Sequence, residues 1–117
     1  MKKKVLIVDD EWLIGETWKM CLELENLEAD FVLSVKEAIL KINESNYDLI
    51  ITDLKMPEQG GEILLDYLKN HEIQSKVIVS SGHFENNQLD QQIDKIIPKP
   101  FSMEVEIKEI MQLLASG

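Results

Sequence analysis

Five polar side chains in this sequence directly or closely follow short apolar runs: Asp9, Asp10, Asp53, Ser81 and Lys99. Three carboxylates brought together would repel one another, and each pKa would rise unless a cation lay between them. Mg²⁺ suits such a cluster because it prefers octahedral oxygen ligands, including carboxylates, water and phosphate oxygens. With an added ammonium group and hydroxyl, these side chains could neutralise a transferring phosphoryl group. A carboxylate could also be the nucleophile, giving an acyl phosphate.

Each of these residues alone has an ordinary structural interpretation. An acidic pair after a strand is commonly a solvated loop or a helix cap, and Ser81-Gly82 is commonly a turn. A lysine between Pro98 and Pro100 is commonly exposed, and the prolines could simply end a strand. The joint occurrence of the five residues at the ends of four successive apolar runs is what favours a shared site.

The elements that must position these residues follow from two hydrophobic periods. Unbroken apolar runs at 5–8, 49–51, 77–79 and 96–97 are typical of strands covered on both faces, and 31–33 is a weaker candidate for an edge strand. Alternation of such strands with helices predicts parallel βαβ units with right-handed crossovers. Ligands bind at the carboxyl ends of strands in such sheets, which is where the five polar residues would gather.

Helical spacing separates the apolar runs. Ser34 to Glu37 has the pattern of a capping box at the start of a helix. Residues 85–94 are polar and short, so a helix there is poorly supported. The apolar stripes predicted for the four supported helices are Leu13, Ile14, Trp18, Cys21 and Leu22; Val35, Ala38, Ile39 and Ile42; Ile63, Leu64, Tyr67 and Leu68; and Met103, Ile107, Ile110, Met111 and Leu114.

Length and charge exclude several classes of protein. The chain has 117 residues, which predicts one domain over 1–117 and leaves no room for a two-domain enzyme. Its 12 Lys+Arg and 22 Asp+Glu residues give a net charge of −10, which argues against direct contact with nucleic acid or anionic lipid. Cys21 is the single cysteine, and the sequence has neither a signal peptide pattern nor a membrane-length apolar run, so we expect a cytoplasmic protein.

The sequence resembles the response-regulator receiver domains of two-component signalling over essentially its whole length. The segments that carry the resemblance are Val5 to Glu11 with its acidic pair, Leu49 to Pro57 around Asp53 with the later Gly61, Val77 to His83, and Pro98 to Phe101. The resemblance implies a flavodoxin-like, doubly wound α/β fold. Its five parallel strands would have the order 2-1-3-4-5, with flanking helices.

The resemblance also implies a role for each site residue. Asp53 would be the phosphoacceptor, and Asp9, Asp10 and Asp53, with the backbone carbonyl of Lys55, would hold Mg²⁺. Ser81, which directly precedes Gly82, would contact the phosphoryl group, and Lys99 would pair with Asp53 and then with the phosphate. A cis peptide bond is expected between Lys99 and Pro100. The implied donor is a sensor histidine kinase or a histidine phosphotransfer protein, and the output is a protein target that the sequence leaves unknown.

Two departures from the family pattern affect the expected output surface. Ile96 occupies the position, three residues before Lys99, where the family often has an aromatic switch residue. The stretch from Ser81 to Lys99 is short, so we expect the helix before the last strand to be short or absent. Signalling is then expected to rely less on that surface and more on the first helix or the loop after Asp53. Lys55 and His83 flank the site and could tune the loss of the phosphoryl group.

Two other functions compete with that of a phosphorylated receiver. The first alternative is a small Mg²⁺-dependent phosphohydrolase of the aspartyl-phosphate type. Against it, Asp9-Asp10-Glu11 lacks the Asp-x-Asp spacing, and the chain leaves little room for a substrate cap. The second alternative is an interaction module that keeps only the fold, which retention of all five site residues disfavours. The expected protein is therefore not an enzyme beyond its own phosphotransfer and dephosphorylation.

Overall fold

Strands and helices alternate through the part of the chain that the computed structural model describes, which is residues 2–56, 60–82 and 93–115. In chain order the elements are β1 (Lys4–Val8), α1 (Trp12–Leu24), β2 (Glu28–Val32), α2 (Val35–Glu44), β3 (Leu49–Thr52), α3 (Gly61–Asn70), β4 (Lys76–Ser81), β5 (Lys95–Pro98) and α4 (Met103–Ala115). The expectation of a short or absent helix before the last strand falls mainly on 83–92, outside the described residues.

The five strands form one sheet in the order β2-β1-β3-β4-β5, and every neighbouring pair is parallel. The predicted doubly wound α/β fold is therefore confirmed, and β2 lies at an edge as expected. The strand order reverses direction between β1 and β3. A crevice forms at such a switch point, outside the carboxyl ends of the strands, and ligands of open α/β sheets bind there.

Both faces of the sheet are buried, which explains why the central strands consist of unbroken apolar runs. The α2–α3 core contains Leu6, Val8, Ile50, Val77 and Val79 from the strands, packed with residues of α2 and α3. The α1–α4 core contains Val5, Ile7, Leu49, Ile51, Ile78 and Ile97, packed with residues of α1 and α4. Alternate residues of β1, β3 and β4 therefore supply the two cores, and this alternation also fixes the direction of the polar residues that follow.

Two predicted helix stripes needed correction. Leu13 was expected on the packed face of α1, but it is 70% exposed. The packed face is centred on Gly15, Trp18 and Leu22, and Leu13 lies about 200° around the helix from Gly15. Ile63 of α3 is likewise exposed, because Leu64, Leu65 and Leu68 take the buried positions.

The ends of β2 and α2 also refine the sequence prediction. The weak strand candidate at 31–33 is observed as Glu28–Val32, since pairing with β1 runs from Lys4↔Glu28 to Val8↔Val32 and stops before Leu33. Ser34 caps α2 by accepting a hydrogen bond from the Glu37 backbone N–H at 3.2 Å, as the capping box predicted. The Glu37 carboxylate reaches back to the Leu33 N–H rather than to that of Ser34. None of the helices in the described ranges has the length and apolar character of a membrane span.

Candidate functional site

The carboxylates of Asp9 and Asp53 lie side by side at the switch point of the sheet. Each residue directly follows its strand, and backbone hydrogen bonds continue the sheet to both of them. The Asp9 N–H donates to Val32 O at 3.2 Å, and the Asp53 N–H donates to Val8 O at 3.1 Å. Asp9 is only 3% exposed and Asp53 only 6%, so two acidic groups are buried at adjacent strand ends.

Lys99 supplies the positive charge that these carboxylates need. Its backbone N–H donates to Ser81 O at 3.1 Å, which fixes the residue immediately after β5. Its Nζ lies 2.9 Å from Asp53 Oδ2 and 3.5 Å from Asp9 Oδ2. Because β4 lies between β3 and β5, the Lys99 side chain crosses β4 to reach both acids.

The three aspartates form an acidic cluster whose geometry could hold a metal ion. One carboxylate oxygen from each of Asp9, Asp10 and Asp53 lies within 4.8 Å of the others. Asp10 is exposed, whereas the other two are buried. A cation bound here would thus have two ligands in the protein interior and one at the surface. Oxygen donors of this kind suit Mg²⁺.

Backbone N–H groups orient the two buried carboxylates. Asp9 Oδ1 accepts from the Glu11 N–H at 2.9 Å, and Asp53 Oδ1 accepts from the Lys55 N–H at 3.1 Å. In both residues the second oxygen, Oδ2, is the one nearest Lys99. Each side chain is therefore held in one orientation by its own loop before any ligand arrives.

The electrostatics of the site are unbalanced in the described structure. Burial raises the pKa of Asp9, an effect that the charge of Asp53 reinforces and that the Glu11 N–H and Lys99 only partly offset. Burial alone would lower the pKa of Lys99, but its hydrogen bond to Asp53 and the charges of Asp9 and Asp53 raise it overall. The Lys99 ammonium group therefore lies beside a cluster of three carboxylates. A bound divalent cation would neutralise the excess negative charge.

Gly61 allows the start of α3 to lie directly against the Asp53 loop. A Cβ on Gly61 would be 2.2 Å from the Asp53 carbonyl oxygen and 2.9 Å from the Leu54 Cα. Its N–H also donates to Leu54 O at 2.9 Å. In the sequence, Gly61 is distinguished only by the family resemblance. This close approach had no sequence signal beyond the glycine itself.

Two predicted positions at the carboxyl ends of β4 and β5 differ slightly from the sequence-based expectation. Ser81 is the last residue of β4 rather than the residue beyond it, and it is buried. Pro98 belongs to β5, which is an edge strand where proline is tolerated, so Lys99 directly follows its strand. The backbone of Ser81 contacts that of Lys99 through the hydrogen bond described above. The predicted contact between Ser81 and a phosphoryl group stays a prediction.

The loop after Lys99 is attached to α1 by aromatic packing. The Lys99–Pro100 peptide bond is cis, which confirms the expectation for this position. The ring of Phe101 stacks on that of Trp18, with centroids 5.3 Å apart and an angle of 27° between the planes. Trp18 is fully buried, so the stack ties the lysine-bearing loop to the α1–α4 core.

Four further positions near the site were singled out in the sequence, and two of them lie within the described residues. Lys55 is exposed beside Asp53, and its proposed carbonyl ligand stays a prediction. Ile96 is half-buried in β5. Pro57 and His83 lie outside the described residues.

Together the fold and the site define a class of protein: a doubly wound α/β domain with an acidic cluster and a lysine at its switch point. The chain matches the family described as the response regulator receiver domain over residues 5–112. It is similar to the transcriptional regulatory protein ResD of Bacillus subtilis (strain 168), with 33% identity over 95% of this chain and 48% of ResD. The chain thus spans about half the length of that curated relative.

Solved structures agree with the sequence comparison. The receiver domain of Francisella response regulator 1452 superimposes with a TM-score of 0.89 at 30% identity, covering 98% of each chain. Response regulator TrrA of Thermotoga maritima, in complex with Mg²⁺-BeF, has a TM-score of 0.80 at 30% identity over 96% of this chain and 98% of TrrA. The chain therefore belongs to the response regulator receiver domain family, and it is the receiver domain of a two-component response regulator.

Proposed function

We propose that Asp53 accepts a phosphoryl group from a phosphohistidine and that the resulting acyl phosphate switches a protein-interaction surface. The observation that carries this proposal is the contact of 2.9 Å between Lys99 Nζ and Asp53 Oδ2 inside a cluster of three carboxylates. A buried carboxylate beside an ammonium group, at the crevice of the sheet, combines a nucleophile with the charge needed to receive a phosphoryl group.

The acidic cluster fits Mg²⁺, which we propose as the cofactor. The donor set consists of carboxylate oxygens, and the excess negative charge around Lys99 favours a small divalent cation. Asp9, Asp10 and Asp53 would hold the ion, with the Lys55 carbonyl as a fourth candidate ligand. When bound, Mg²⁺ would offset the negative charge that develops on the phosphoryl oxygens.

The positions of the side chains support the following reaction. An Asp53 oxygen attacks the phosphorus in line, the phosphorus–nitrogen bond of the phosphohistidine breaks, and the electron pair leaves with the imidazole. The Lys99 ammonium group shifts from the Asp53 carboxylate to the phosphoryl oxygens. The Ser81 hydroxyl donates a hydrogen bond to the same phosphoryl group. Water later attacks the phosphorus, which releases inorganic phosphate and restores the Asp53 carboxylate. The protein is expected to catalyse only these two reactions of its own side chain.

The partner that supplies the phosphoryl group is expected to be a sensor histidine kinase or a histidine phosphotransfer protein. An apolar cleft of about 500 Å³ lies beside Lys99, lined by Leu13, Ile14, Thr17, Lys99, Pro100, Phe101 and Met103. Leu13, which lines this cleft, is 70% exposed, and Trp12, the residue before it in the chain, is 63% exposed. This apolar cleft is where we expect an apolar helical surface of the donor to dock, so that its histidine reaches Asp53.

A cytoplasmic location stays a prediction from the sequence.

Intact mass spectrometry tests the proposed phosphoacceptor. Incubation with acetyl phosphate and Mg²⁺ should add a single phosphoryl group to the wild-type protein. The adduct should disappear in Asp53→Asn and persist in the control Asp66→Asn, which alters an exposed aspartate on α3. Chelation of Mg²⁺ should also prevent the adduct.

Three results would contradict the proposal. A wild-type protein that stays unmodified at saturating Mg²⁺ would remove the phosphoacceptor function. Continuous turnover of a phosphomonoester that depends on Asp53 would instead support the phosphohydrolase alternative. Loss of the adduct in both Asp53→Asn and Asp66→Asn would show that Asp53 is not a specific acceptor.

A further inference from the structure

The hydroxyl group of Ser80 is buried without a hydrogen-bond partner. Ser80 is 1% exposed, and within the described residues its Oγ has no donor or acceptor in reach. Buried polar side chains are nearly always paired, because an unpaired hydroxyl has lost its hydrogen bonds to water without replacing them. An exception of this kind requires an explanation.

The sheet register places Ser80 beside Asp53. Thr52 pairs with Val79, so the next residues along the two strands, Asp53 and Ser80, lie next to each other. On its other side, Ser80 pairs with Ile97 of β5. Ser80 therefore occupies the position of β4 that lies between the phosphoacceptor and the strand that carries Lys99.

Strand alternation gives the direction of the Ser80 side chain. Ile78, two residues earlier in β4, and Ile97, its register partner, both pack in the α1–α4 core. Ile51, two residues before Asp53, packs in the same core. Side chains two residues apart in a strand point to the same face, so Ser80 and Asp53 share one face of the sheet.

The ion pair between Lys99 and Asp53 passes over β4 on this face. Lys99 follows Ile97 by two residues and so starts from the same side, and its Nζ reaches Asp53 Oδ2 beyond the intervening strand. Ser80 lies on the strand that is crossed and shares this face of the sheet. Its buried hydroxyl, which has no hydrogen-bond partner among the described residues, is therefore in the layer that the lysine chain spans.

We propose that Ser80 is a positioning residue of this site, whose hydroxyl gains its partner when the Lys99–Asp53 ion pair rearranges around a phosphoryl group. This inference rests on the proposed function. Once Asp53 is bonded to phosphorus, Lys99 shifts its charge to the phosphoryl oxygens and no longer occupies Asp53 Oδ2. Ser80 can then donate to an oxygen of the acyl phosphate. Because the hydroxyl is unpaired before phosphorylation and paired after it, Ser80 favours the phosphorylated state.

Binding of beryllium fluoride in the presence of Mg²⁺, measured by calorimetry, tests this inference without turnover. We compare the wild type with Ser80→Ala, which removes the hydroxyl, and Ser80→Thr, which keeps it. Ser75→Ala is the matched control, because the Ser75 hydroxyl bonds Tyr47 O at the opposite end of β4. We expect Ser80→Ala to bind about tenfold more weakly, equivalent to about 1.4 kcal/mol. Ser80→Thr and Ser75→Ala should remain within about threefold of the wild type, well inside one tenfold step.

Thermal unfolding without beryllium fluoride supplies a second readout. An unpaired hydroxyl contributes nothing to the unphosphorylated fold, so Ser80→Ala should unfold at the same temperature as the wild type or higher. A lower unfolding temperature, or failure of Ser80→Ala to fold, would show that the hydroxyl is already paired and would overturn the inference.

The binding data can overturn the inference in two further ways. Wild-type affinity in Ser80→Ala would remove any role of the hydroxyl, and equal weakening in Ser80→Ala and Ser80→Thr would attribute the effect to packing. Both results would leave the proposed function intact. Absence of binding by the wild type would instead overturn the proposed function, and this inference with it.

Discussion

Burial of the ionised Asp9 carboxylate is unfavourable, and a bound cation would offset its free-energy cost. Its carboxylate is almost fully enclosed, it lies near Asp53, and its main compensation is one backbone N–H and a lysine at 3.5 Å. Removal of an ionised carboxylate from water is unfavourable unless other groups replace the lost hydration. The metal-free domain is therefore less stable at neutral pH than the same fold would be with a neutral side chain at this position.

Asp9→Asn should raise the unfolding temperature of the metal-free protein at pH 7 by about 2–6 °C, as expected for a change of about 1 kcal/mol. The folded-state pKa of Asp9 lies above its usual 3.8, so ionisation opposes folding. This destabilisation is absent below pH 3.8, grows as the pH rises toward the folded-state pKa, and is complete above it. The advantage of Asp9→Asn should therefore fade on acidification, which thermal unfolding at several pH values would measure.

Mg²⁺ provides the complementary measurement for Asp9. A ligand that binds only the folded state stabilises it in proportion to the logarithm of its concentration. Millimolar Mg²⁺ should raise the unfolding temperature of the wild type and have little effect on Asp9→Asn. An equal response of the two proteins would contradict a role of Asp9 as a ligand.

Gly61→Ala should reduce the rate of Asp53 phosphorylation by acetyl phosphate by at least tenfold. The added Cβ would meet the Asp53 carbonyl oxygen at 2.2 Å, so the loop that carries Asp53 must move. Misplacement of a reacting group by about 1 Å can slow a reaction about 100-fold. Gly82→Ala is the control, because a Cβ there would have no atom of the described residues within 4 Å. Equal rates in both variants would show that the contact at Gly61 does not position Asp53.

Residue types and spacing were sufficient to predict which side chains gather at the site but not its close contacts. Asp9, Asp53 and Lys99 were predictable because each follows an apolar run, and parallel strands bring such positions together. The approach of Gly61 to the Asp53 loop and the burial of an unpaired Ser80 hydroxyl depend on distances between elements. These distances leave no periodic pattern in the sequence.

At the scale of elements, the packed face of α1 includes a glycine as well as the large apolar residues Trp18 and Leu22. A Cβ on Gly15 would lie 2.0 Å from Phe31 Cε1, so the helix and β2 approach closely at this point. On this rotation of α1, Trp18 is buried in the core and Leu13 is exposed. Periodicity predicted the helix correctly but could not predict its rotation, because the deciding contact involves a residue without a side chain.

Gly15→Ala should destabilise the domain by about 1–3 kcal/mol, as is usual for overpacking. The intrinsic helix preference of alanine over glycine, about 1 kcal/mol, acts in the opposite direction and should be outweighed. Phe31→Leu in the same chain should recover part of the loss, because it removes the ring atoms that the new Cβ would meet. Chemical denaturation of the two single variants and the double variant would measure the coupling, and strictly additive effects would contradict the proposed contact.

At the scale of the whole molecule, the apolar cleft and the acidic cluster lie next to each other and share Lys99. Parallel strand direction and the burial of both sheet faces were predictable from the residues, because unbroken apolar runs require helices on both sides, whereas the strand order came only from the family resemblance. The cleft was not predictable, since it forms only where α1 meets the loop after β5. The surface before β5, where the sequence departs from the family pattern, lies mainly outside the described residues.

Leu13→Ser should slow phosphoryl transfer from a histidine phosphotransfer protein by about tenfold and leave phosphorylation by acetyl phosphate unchanged. Leu13 is mostly exposed at the cleft, so the substitution removes apolar contact area, worth about 25 cal/mol per Å², with little effect on the core. Leu40→Ser, at an exposed leucine of α2, is the control. Equal slowing by both substitutions, or by Leu13→Ser with the small donor, would contradict docking at this cleft.

The span of Lys99 across β4 has a consequence for protein synthesis. Asp9 and Asp53 leave the ribosome long before the lysine that completes their surroundings, and only pairing of the last strand brings that lysine to them. A nascent or prematurely ended polypeptide therefore has the proposed acceptor, Asp53, but not the lysine that neutralises it. Such a fragment should accept phosphoryl groups poorly. Incomplete chains would therefore not compete with the complete domain for phosphoryl groups from the donor.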